Sequence, residues 1–356
     1  MKVLVLTKYP RMGASSRLRT LQFLPLLETS GFEFTVQSLF DNTYLENLYN
    51  NGNRFKLASA RYYFKRFLTL LTVKQYDLIW IEKELFPYFP AFFEKMLATI
   101  GVRYIVDYDD AIFHNYDFSK NKLVQLFLKK KIDKVMKYSS CVMAGNNYLA
   151  TRAKSSGAKN IKLRPTVVDH LKYKTKENVS KDLLTIGWIG SPTTQKYITE
   201  IAPMLYEVNR QCSFRLLLVG ATNAIKKDLQ GLEVDIYPWD ENTEADLIRL
   251  MDIGIMPLHD GPWEKGKCGY KLIQYMASGV PVIASDVGVN REIIENSKSG
   301  LLVKEQSDWS STIVKLINSP NLRAQFGEAG RDAVEQNYSI QSQLPKINKI
   351  LNSFLV

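Results

Sequence analysis

Three short segments carry residue types and spacings that could do chemistry. The first is Gly266-Lys-Cys-Gly-Tyr-Lys271, which precedes an amphipathic run closed by Gly279-Val-Pro281. A glycine-bearing loop that opens a helix presents backbone N–H groups and the positive end of the helix dipole, a combination suited to phosphate. Lys267 and Lys271, four apart, would add charge on one side, and the N–H groups of Cys268, Gly269 and Tyr270 would complete the cradle. Cys268 has no histidine near it in sequence to lower its pKa, which argues against a nucleophilic thiol.

The second segment is Asp107-Tyr-Asp-Asp110, at the end of an apolar run. Carboxylates so close repel one another, and at least one should titrate abnormally. Asp109 and Asp110 suit a general base, a hydroxyl-orienting group or a metal ligand; capping of a following Ala111–Phe113 turn explains the same residues. Without a second acidic cluster to complete a shell, no metal is expected. The third segment, Thr7–Arg19, holds Gly13, Arg17 and Arg19 in a small-residue loop that exposes N–H groups and offers a guanidinium to an anion. An ordinary turn capped by Ser15 or Ser16 is the alternative. No G-x-G-x-x-G nicotinamide fingerprint is present.

These segments need a frame that presents loops together. Short apolar runs alternate with helical periodicity along the chain. Lys2–Leu6, Phe34–Leu39, Asp77–Ile81, Arg103–Asp107 and Cys141–Ala144 read as buried parallel strands. Ser16–Ser30, Asn53–Thr72, Phe89–Ile100 and Ser119–Tyr138 read as the helices between them. The pattern repeats with strands Leu184–Ile189, Phe214–Val219, Glu233–Tyr237, Ile253–Met256 and Val280–Ala284. The helices expected there are Ala202–Gln211, Glu244–Leu250, Tyr270–Ala277 and Ser310–Asn318. Alternation of this kind implies right-handed βαβ units and parallel sheets. Pro165–Lys181, polar and charged, reads as the linker between two doubly wound halves.

The 356 residues suit two medium domains. Residues 1–175 carry 28 Lys+Arg against 14 Asp+Glu, a balance of +14, while 176–356 balance at −3. The two halves are therefore expected to meet different partners. Lys120–Lys137 holds seven lysines and one aspartate, with Val124, Phe127, Leu128, Ile132 and Val135 on one helical stripe. Asn53–Leu71 holds five basic residues among aromatics, and Leu85–Phe93 holds four phenylalanines. Basic amphipathic helices with aromatics suit an anionic membrane surface; for a single helix, a solvated lysine face over ordinary core accounts for the same pattern. No recognised nucleic-acid module is present, so nucleic acid is not expected. The longest stretch without a charged residue has 14 residues, too short for a transmembrane helix. The opening strand reaches Thr7-Lys8 too soon for a signal peptide. Three widely spaced cysteines argue against a disulfide framework.

The second-half motif Tyr275-Met-Ala-Ser-Gly-Val-Pro-Val282 resembles the signature of retaining glycosyltransferase family four, the group 1 transferases of the GT-B fold. In that family a glycine loop lies between two glutamates, the second opening Glu-Ala-Met-Ala-x-Gly-x-Pro-Val. Gly269 falls on the loop glycine. The opening strand with Gly13, Val219-Gly220, Asp252–Pro257, Val287–Glu292, Ser299–Val303 and Pro165–Asp169 follow the family order over nearly the whole chain. There are departures. Gln274 stands where the family glutamate holds the donor ribose, and Gly266 where the first glutamate contacts the donor sugar. The family's phosphate-binding Arg and Lys are not evident in Gly187–Lys196, where only Lys196 is near. The family histidine falls on Asp109.

The resemblance implies an α/β GT-B fold of two Rossmann-like domains facing across a cleft. Residues 1–170 would bind the acceptor and 171–339 a nucleotide-sugar donor, with a tail helix 340–356 that either domain could receive. It places Tyr237–Asp240 against the nucleotide base, where Trp239 would either stack or fill surface. The expected activity is transfer of a sugar from a nucleotide-diphosphate donor to a glycan or lipid-linked acceptor, with retention, in cell-surface polysaccharide or glycoconjugate assembly. Asp109 and Asp110 would orient sugar hydroxyls. Gly13, Arg17, Lys267, Cys268, Gly269, Tyr270, Lys271, Gln274 and Trp239 would bind the donor, with no cofactor or metal. The expected location is cytoplasmic, peripheral on the inner membrane face. A GT-B sugar-nucleotide epimerase and a catalytically silent GT-B scaffold are the rival readings.

Overall fold

The computed structural model describes residues 1–51, 59–175 and 183–355. Residues 53–58 of the expected basic helix and 176–181 of the expected linker lie outside the described residues. The chain forms two units. One comprises Met1–Thr166, Gly266–Cys268 and Gln343–Val356; the other comprises Val167–Lys265 and Gly269–Ser342.

In the first unit, strands β1 (Lys2–Thr7), β2 (Glu33–Ser38), β3 (Leu78–Glu82), β4 (Tyr104–Tyr108), β5 (Cys141–Ala144) and β6 (Ile161–Leu163) form a parallel sheet in the order β2-β1-β3-β4-β5-β6. Val3–Leu6, Leu78–Ile81 and Tyr104–Val106 are buried throughout, as strands covered on both faces are. The chain leaves β1 for β2 and returns to β3 on the other side of β1. Strand order therefore reverses between β1 and β3, and a crevice opens outside their C-terminal ends. The register sets Leu6 against Ile81, Glu82 against Asp107 and Tyr108 against Ala144, so the loops that follow start nearly level.

The second unit holds β7 (Leu184–Ile189), β8 (Phe214–Val219), β9 (Glu233–Tyr237), β10 (Ile253–Met256), β11 (Val282–Ser285) and β12 (Gly300–Val303), in the parallel order β12-β11-β10-β7-β8-β9. Here the reversal falls between β7 and β10. One core layer gathers around Trp188, Leu205 and Trp309, and the other around Tyr275, Met276 and Ile293. The last helix, Ile340–Asn352, passes at Gln343 into the first unit.

Two expected helices break. The expected Ser16–Ser30 helix is a short turn, Ala14–Ser16, then a wide turn over Arg17–Leu21, then Leu24–Glu28 opened by Pro25. In the wide turn the Gln22 N–H reaches back to the Arg17 carbonyl (3.0 Å), and Arg17 and Arg19 both become buried. The expected Ser119–Tyr138 helix splits into Lys122–Leu128 and Lys131–Tyr138. Its cause is Lys131, which turns inward to pair with the Glu84 carboxylate and the Phe86 carbonyl. The single apolar stripe is lost: Leu128, Ile132 and Val135 are buried, whereas Leu123, Leu126 and Phe127 are 65–72% exposed.

Four basic residues are thus structural. Besides Lys131, Arg66 donates to the Thr7 and Gln37 carbonyls at 2.7 and 3.1 Å and fastens helix Ser59–Leu70 to the ends of β1 and β2. Burial lowers its guanidinium pKa to about 9. Arg19 pairs with Asp107, which also takes Arg164 Nη1 at 2.5 Å. Arg19 Nη1 donates to the Arg164 carbonyl (2.5 Å), and Arg164 Nη2 donates back to the Arg19 carbonyl. Arg19 is therefore committed to Asp107 and is not the open anion contact expected of that loop.

Removing one member of a buried ion network strands the others without compensation, at a cost of about 3–5 kcal/mol. Asp107→Asn should lower the denaturant midpoint of the first unit accordingly. A midpoint equal to wild type in a urea titration followed by circular dichroism would show that the network contributes nothing.

Candidate functional site

The second unit builds a bare floor at the C-terminal ends of β7, β8 and β9. Ile189, Val219 and Tyr237 are register neighbours, so Gly190, Gly220 and Pro238-Trp239 follow them side by side. Gly190 N–H donates to the Val219 carbonyl (2.9 Å) and Gly220 N–H to the Tyr237 carbonyl (2.8 Å). Gly220 has φ +80°, and a Cβ there would stand 2.3 Å from the Gly190 oxygen. Only glycine leaves this backbone open to a ligand.

Helix Tyr270–Ala277 stands over that floor. Tyr275 fixes it at the strand-order reversal: its hydroxyl accepts from the Ile189 N–H (2.9 Å) and donates to the Ile255 carbonyl (3.3 Å). Gly269, φ +65°, turns the chain into the helix. Lys271, one residue in, does not extend into solvent. Its Nζ lies 4.3 Å from the Trp188 ring centroid and 2.8 Å from where a Gly190 Cβ would be. A cation, open backbone and a helix N-terminus therefore meet at one place, as phosphate binding requires. Lys196 is exposed, its Nζ 5.0 Å from the Tyr197 ring centroid.

Gln274 is buried on the same helix, and its Nε2 donates to the Tyr173 hydroxyl (3.1 Å). Tyr173 donates in turn to Glu244 Oε1 (3.0 Å), and Glu244 Oε2 accepts from Trp239 Nε1 (2.6 Å). Trp239 keeps 39% of its surface exposed at the rim of the floor.

The first unit gathers charge instead. Asp109 and Asp110 follow β4. Lys83 follows β3 in a left-handed conformation, φ +65°. Its Nζ lies 2.9 Å from Asp109 Oδ1, 3.9 Å from Asp110 Oδ2 and 3.0 Å from Ser15 Oγ. Burial alone would raise the Asp109 carboxyl, but Lys83 and Arg19 together hold it below its ordinary value. Asp110, one-third exposed, is pushed up to about 6, by burial first and by the Asp109 charge second. Neither carboxylate caps the following turn among the described residues; the Ile112 N–H goes to the Asp110 backbone carbonyl (2.8 Å).

The Gly266–Cys268 stretch belongs to this cluster. A Cβ at Gly266 would stand 2.4 Å from the Ala111 Cβ, so no side chain fits where the resembling family has glutamate. The Lys267 carbonyl accepts from Asn146 Nδ2 (2.8 Å), and the positive charge of Lys267 favours ionised Asp110. Cys268 Sγ donates to the Asp109 carbonyl (3.0 Å), and burial pushes its thiol up. Lys267 thus lies in one unit and Lys271 in the other. Because the helix starts at Tyr270, their four-residue spacing is not a helical one. Gly13 closes the Pro10–Gly13 turn (2.9 Å), where a Cβ would stand 2.5 Å from the Tyr9 Cβ. Arg17 Nη1 donates to the Arg11 carbonyl (3.2 Å).

Sequence reasoning passed over Glu82, Lys83 and Glu244, and read Ser15 only as a capping residue. Glu82 Oε2 accepts from Ser16 Oγ (2.6 Å) and the Lys8 N–H (2.9 Å). Burial raises its carboxyl pKa. The signal was the polar Glu82-Lys83-Glu84 at the end of a wholly apolar strand. No three His, Cys, Asp or Glu side chains gather as a metal site among the described residues.

Residues 180–319 match the family model described as glycosyl transferases group 1. The chain is 33% identical over 88 residues to the poly(ribitol-phosphate) alpha-N-acetylglucosaminyltransferase of Staphylococcus aureus, covering 24% of this chain and 18% of that protein. It is 26% identical over 115 residues to a D-inositol 3-phosphate glycosyltransferase of Gordonia bronchialis, covering 31% and 24%. The matched segment thus spans about a quarter or less of these curated relatives. Among solved structures, the sucrose-phosphate synthase of Thermosynechococcus elongatus aligns with TM-score 0.75 at 13% identity, over 100% of this chain and 99% of that one. HepE of Anabaena, solved with UDP-glucose, aligns with TM-score 0.69 at 18% identity, over 99% and 100%. Residues 180–319 thus carry the match to the group 1 glycosyltransferase model, and the two six-stranded sheets with their strand reversals give the chain a GT-B fold.

Proposed function

We propose that the protein transfers a sugar from a nucleotide-diphosphate donor to a glycan or lipid-linked acceptor, with retention at the anomeric carbon, in polysaccharide or glycoconjugate assembly. The observation that carries this reading is the Lys271 ammonium held beside the bare Gly190–Gly220 floor at a helix N-terminus. The diphosphate takes its charge compensation from Lys271 and the helix N–H groups, and Trp239 meets the base. As the glycosidic bond breaks, negative charge grows on the leaving diphosphate, where fixed donors lower the barrier. HepE, of the same fold, was solved with UDP-glucose, so a UDP-sugar is the first donor to try. In the first unit, Asp110 accepts a hydrogen bond from a sugar hydroxyl and Lys83 holds Asp109 beside it. Product that forms only with acceptor present separates transfer from epimerisation.

The anionic membrane surface remains the proposed location, and the observation favouring it is helix Lys122–Leu128. Its exposed Leu123, Leu126 and Phe127 stand among exposed Lys120, Lys122, Lys129 and Lys130. Apolar side chains ringed by lysines suit the headgroup boundary of an anionic bilayer. Among the described residues no helix is long and apolar enough to cross a membrane.

Three measurements test these assignments. Lys271→Met should weaken nucleoside-diphosphate binding by about 2 kcal/mol or more, and nucleoside binding far less, in titration calorimetry. Equal losses for both ligands would remove the phosphate assignment. Because Asp110 ionises near pH 6, transfer that needs its carboxylate should rise through pH 6 and level off above it. Asp110→Asn should lower the plateau at least tenfold and abolish that acid limb; an unchanged limb assigns it to another group. Finally, Leu123→Ser with Phe127→Ser should reduce sedimentation with phosphatidylglycerol vesicles while leaving nucleotide affinity intact. Equal sedimentation of wild type with neutral and anionic vesicles would exclude electrostatic docking.

A further inference from the structure

We propose that the second unit carries a carbohydrate site apart from the Gly190–Gly220 floor, in a cavity beyond the C-terminal ends of β10, β11 and β12. The cavity measures about 390 Å³, and none of Gly190, Gly220, Trp239 and Lys271 lines it. Loops at that end of a doubly wound sheet are the ones that meet ligands. Three of them contribute here: Pro257–Asp260 after β10, Asp286-Val287 after β11 and Lys304–Gln306 after β12. Tyr197 and Glu200 of helix Lys196–Glu200 also line it.

The polar groups of this cavity are fixed in place with bonding capacity left over. The Asp286 side chain is 5% exposed and takes Arg291 in a two-point fork, Nε on Oδ1 and Nη2 on Oδ2, both at 2.6 Å. A guanidinium carries five N–H donors, so the fork orients Arg291 and leaves Nη1 for a ligand. His259 Nε2 lies 2.8 Å from Glu200 Oε2, and the Glu200 backbone carbonyl accepts from Gln306 Nε2 (2.7 Å). The loops after β10 and β12 are thereby tied to one residue, whose carboxylate keeps further acceptor positions. Trp309 lines the cavity at 2% exposure, and its indole N–H has no acceptor among the described residues. Lys304 and Glu305 are exposed at the same cavity.

This mixture selects the ligand chemistry. Arg291 Nη1, Lys304 Nζ and the Trp309 N–H are donors, while Glu200 and Glu305 are acceptors. A phosphate would meet the carboxylates of Glu200, Asp260, Asp286 and Glu305 against the cations of Arg291 and Lys304, and like charges brought together oppose binding. A metal ion finds no group of three His, Cys, Asp or Glu side chains among the described residues. An apolar ligand would desolvate these donors and acceptors without pairing them. A sugar hydroxyl both donates and accepts, and one ring presents several, so a saccharide unit satisfies both sets at once.

The test is NMR of the full chain with 15N-labelled indoles, the Trp309 signal being assigned from its own backbone resonances. Glucose, N-acetylglucosamine and glucuronic acid are each titrated to about 50 mM, a range that detects millimolar affinity, with inorganic phosphate and UDP as separate arms. At least one sugar should move the Trp309 signal along a saturating curve. Arg291→Gln and Glu200→Gln should each raise that sugar's dissociation constant about fivefold or more, as loss of a hydrogen-bond partner does. Glu200 holds Gln306 through its backbone carbonyl, so its variant keeps that tie, and unchanged far-ultraviolet circular dichroism checks both folds. A signal that no sugar moves, or that moves with wild-type affinity in both variants, would overturn the proposal. Phosphate moving it as far as the sugars would overturn the carbohydrate assignment. UDP moving it as far would make the cavity part of the nucleotide floor and overturn the separate site.

Discussion

Asp107 carries the buried electrostatics of the first unit. One carboxylate is shared by two buried guanidiniums, which belong to the loop after β1 and to the segment after β6. Desolvating such ions is costly, and their attraction offsets that cost only when the geometry is complete. The reciprocal bonds of Arg19 and Arg164 to each other's carbonyls add to that geometry, with Arg164 Nε left as the unpartnered donor of the pair. The ends of the unit's sequence are thereby tied to the end of its central strand. The trio also retains an excess positive charge. Burial lowers Arg164 to about 9, and the field of Arg19 helps keep Asp109 ionised. Ionised Asp109 in turn helps lift Asp110 toward 6. Behind burial, which is the larger cause, a structural ion network thus contributes through Asp109 to the protonation behaviour of Asp110, the more exposed carboxyl of the pair.

Lys83 is the hinge of this electrostatic chain. A left-handed residue other than glycine costs roughly 1–2 kcal/mol. Here that strain turns the ammonium back between Ser15 and the two aspartates. The second unit solves a different problem at the equivalent reversal of strand order. Its floor is stripped of side chains at Gly190 and Gly220, and an ammonium is brought in by Lys271. One unit is built to set the ionisation of carboxylates, the other to let backbone approach a ligand.

Much of this frame was legible in the sequence because buried parallel strands are apolar runs. All ten expected strands exist, several to the residue, as in Phe214–Val219 and Cys141–Ala144. The two strands passed over were weak signals: Ile161–Leu163 is three residues with a central lysine, and Gly300–Val303 opens on glycine. Helix Pro320–Asn337 was also passed over; it holds Gly327 and Gly330, and glycine is unfavourable in a helix interior. In the fold they permit close contact, since a Cβ at Gly327 would stand 2.2 Å from the Gly279 oxygen. Basic residues misled most. Arg19, Arg66 and Lys131 look like surface charge, and their carboxylate and carbonyl partners lie far away in sequence. Only tertiary structure pairs Lys131 with Glu84. Lys271 was legible by type and loop position, but its direction depended on Trp188 and Gly190.

The departures from the family pattern acquire a physical sense in this setting. Gly266 is not an eroded glutamate position, because Ala111 occupies the volume any side chain would need. Gln274 has lost a charge, but it is joined through Tyr173 to a buried carboxylate on the neighbouring helix. The absent Arg and Lys of the β7 loop are matched by an ammonium reaching the same loop from helix Tyr270–Ala277. A diphosphate needs nearby cations and ribose hydroxyls need acceptors; neither requirement specifies which element supplies them. When a site is defined by charge at a point in space, substitution at the aligned position measures loss only if no other element delivers that charge. In the second unit, Lys271 is placed to deliver the positive charge that the proposed diphosphate needs.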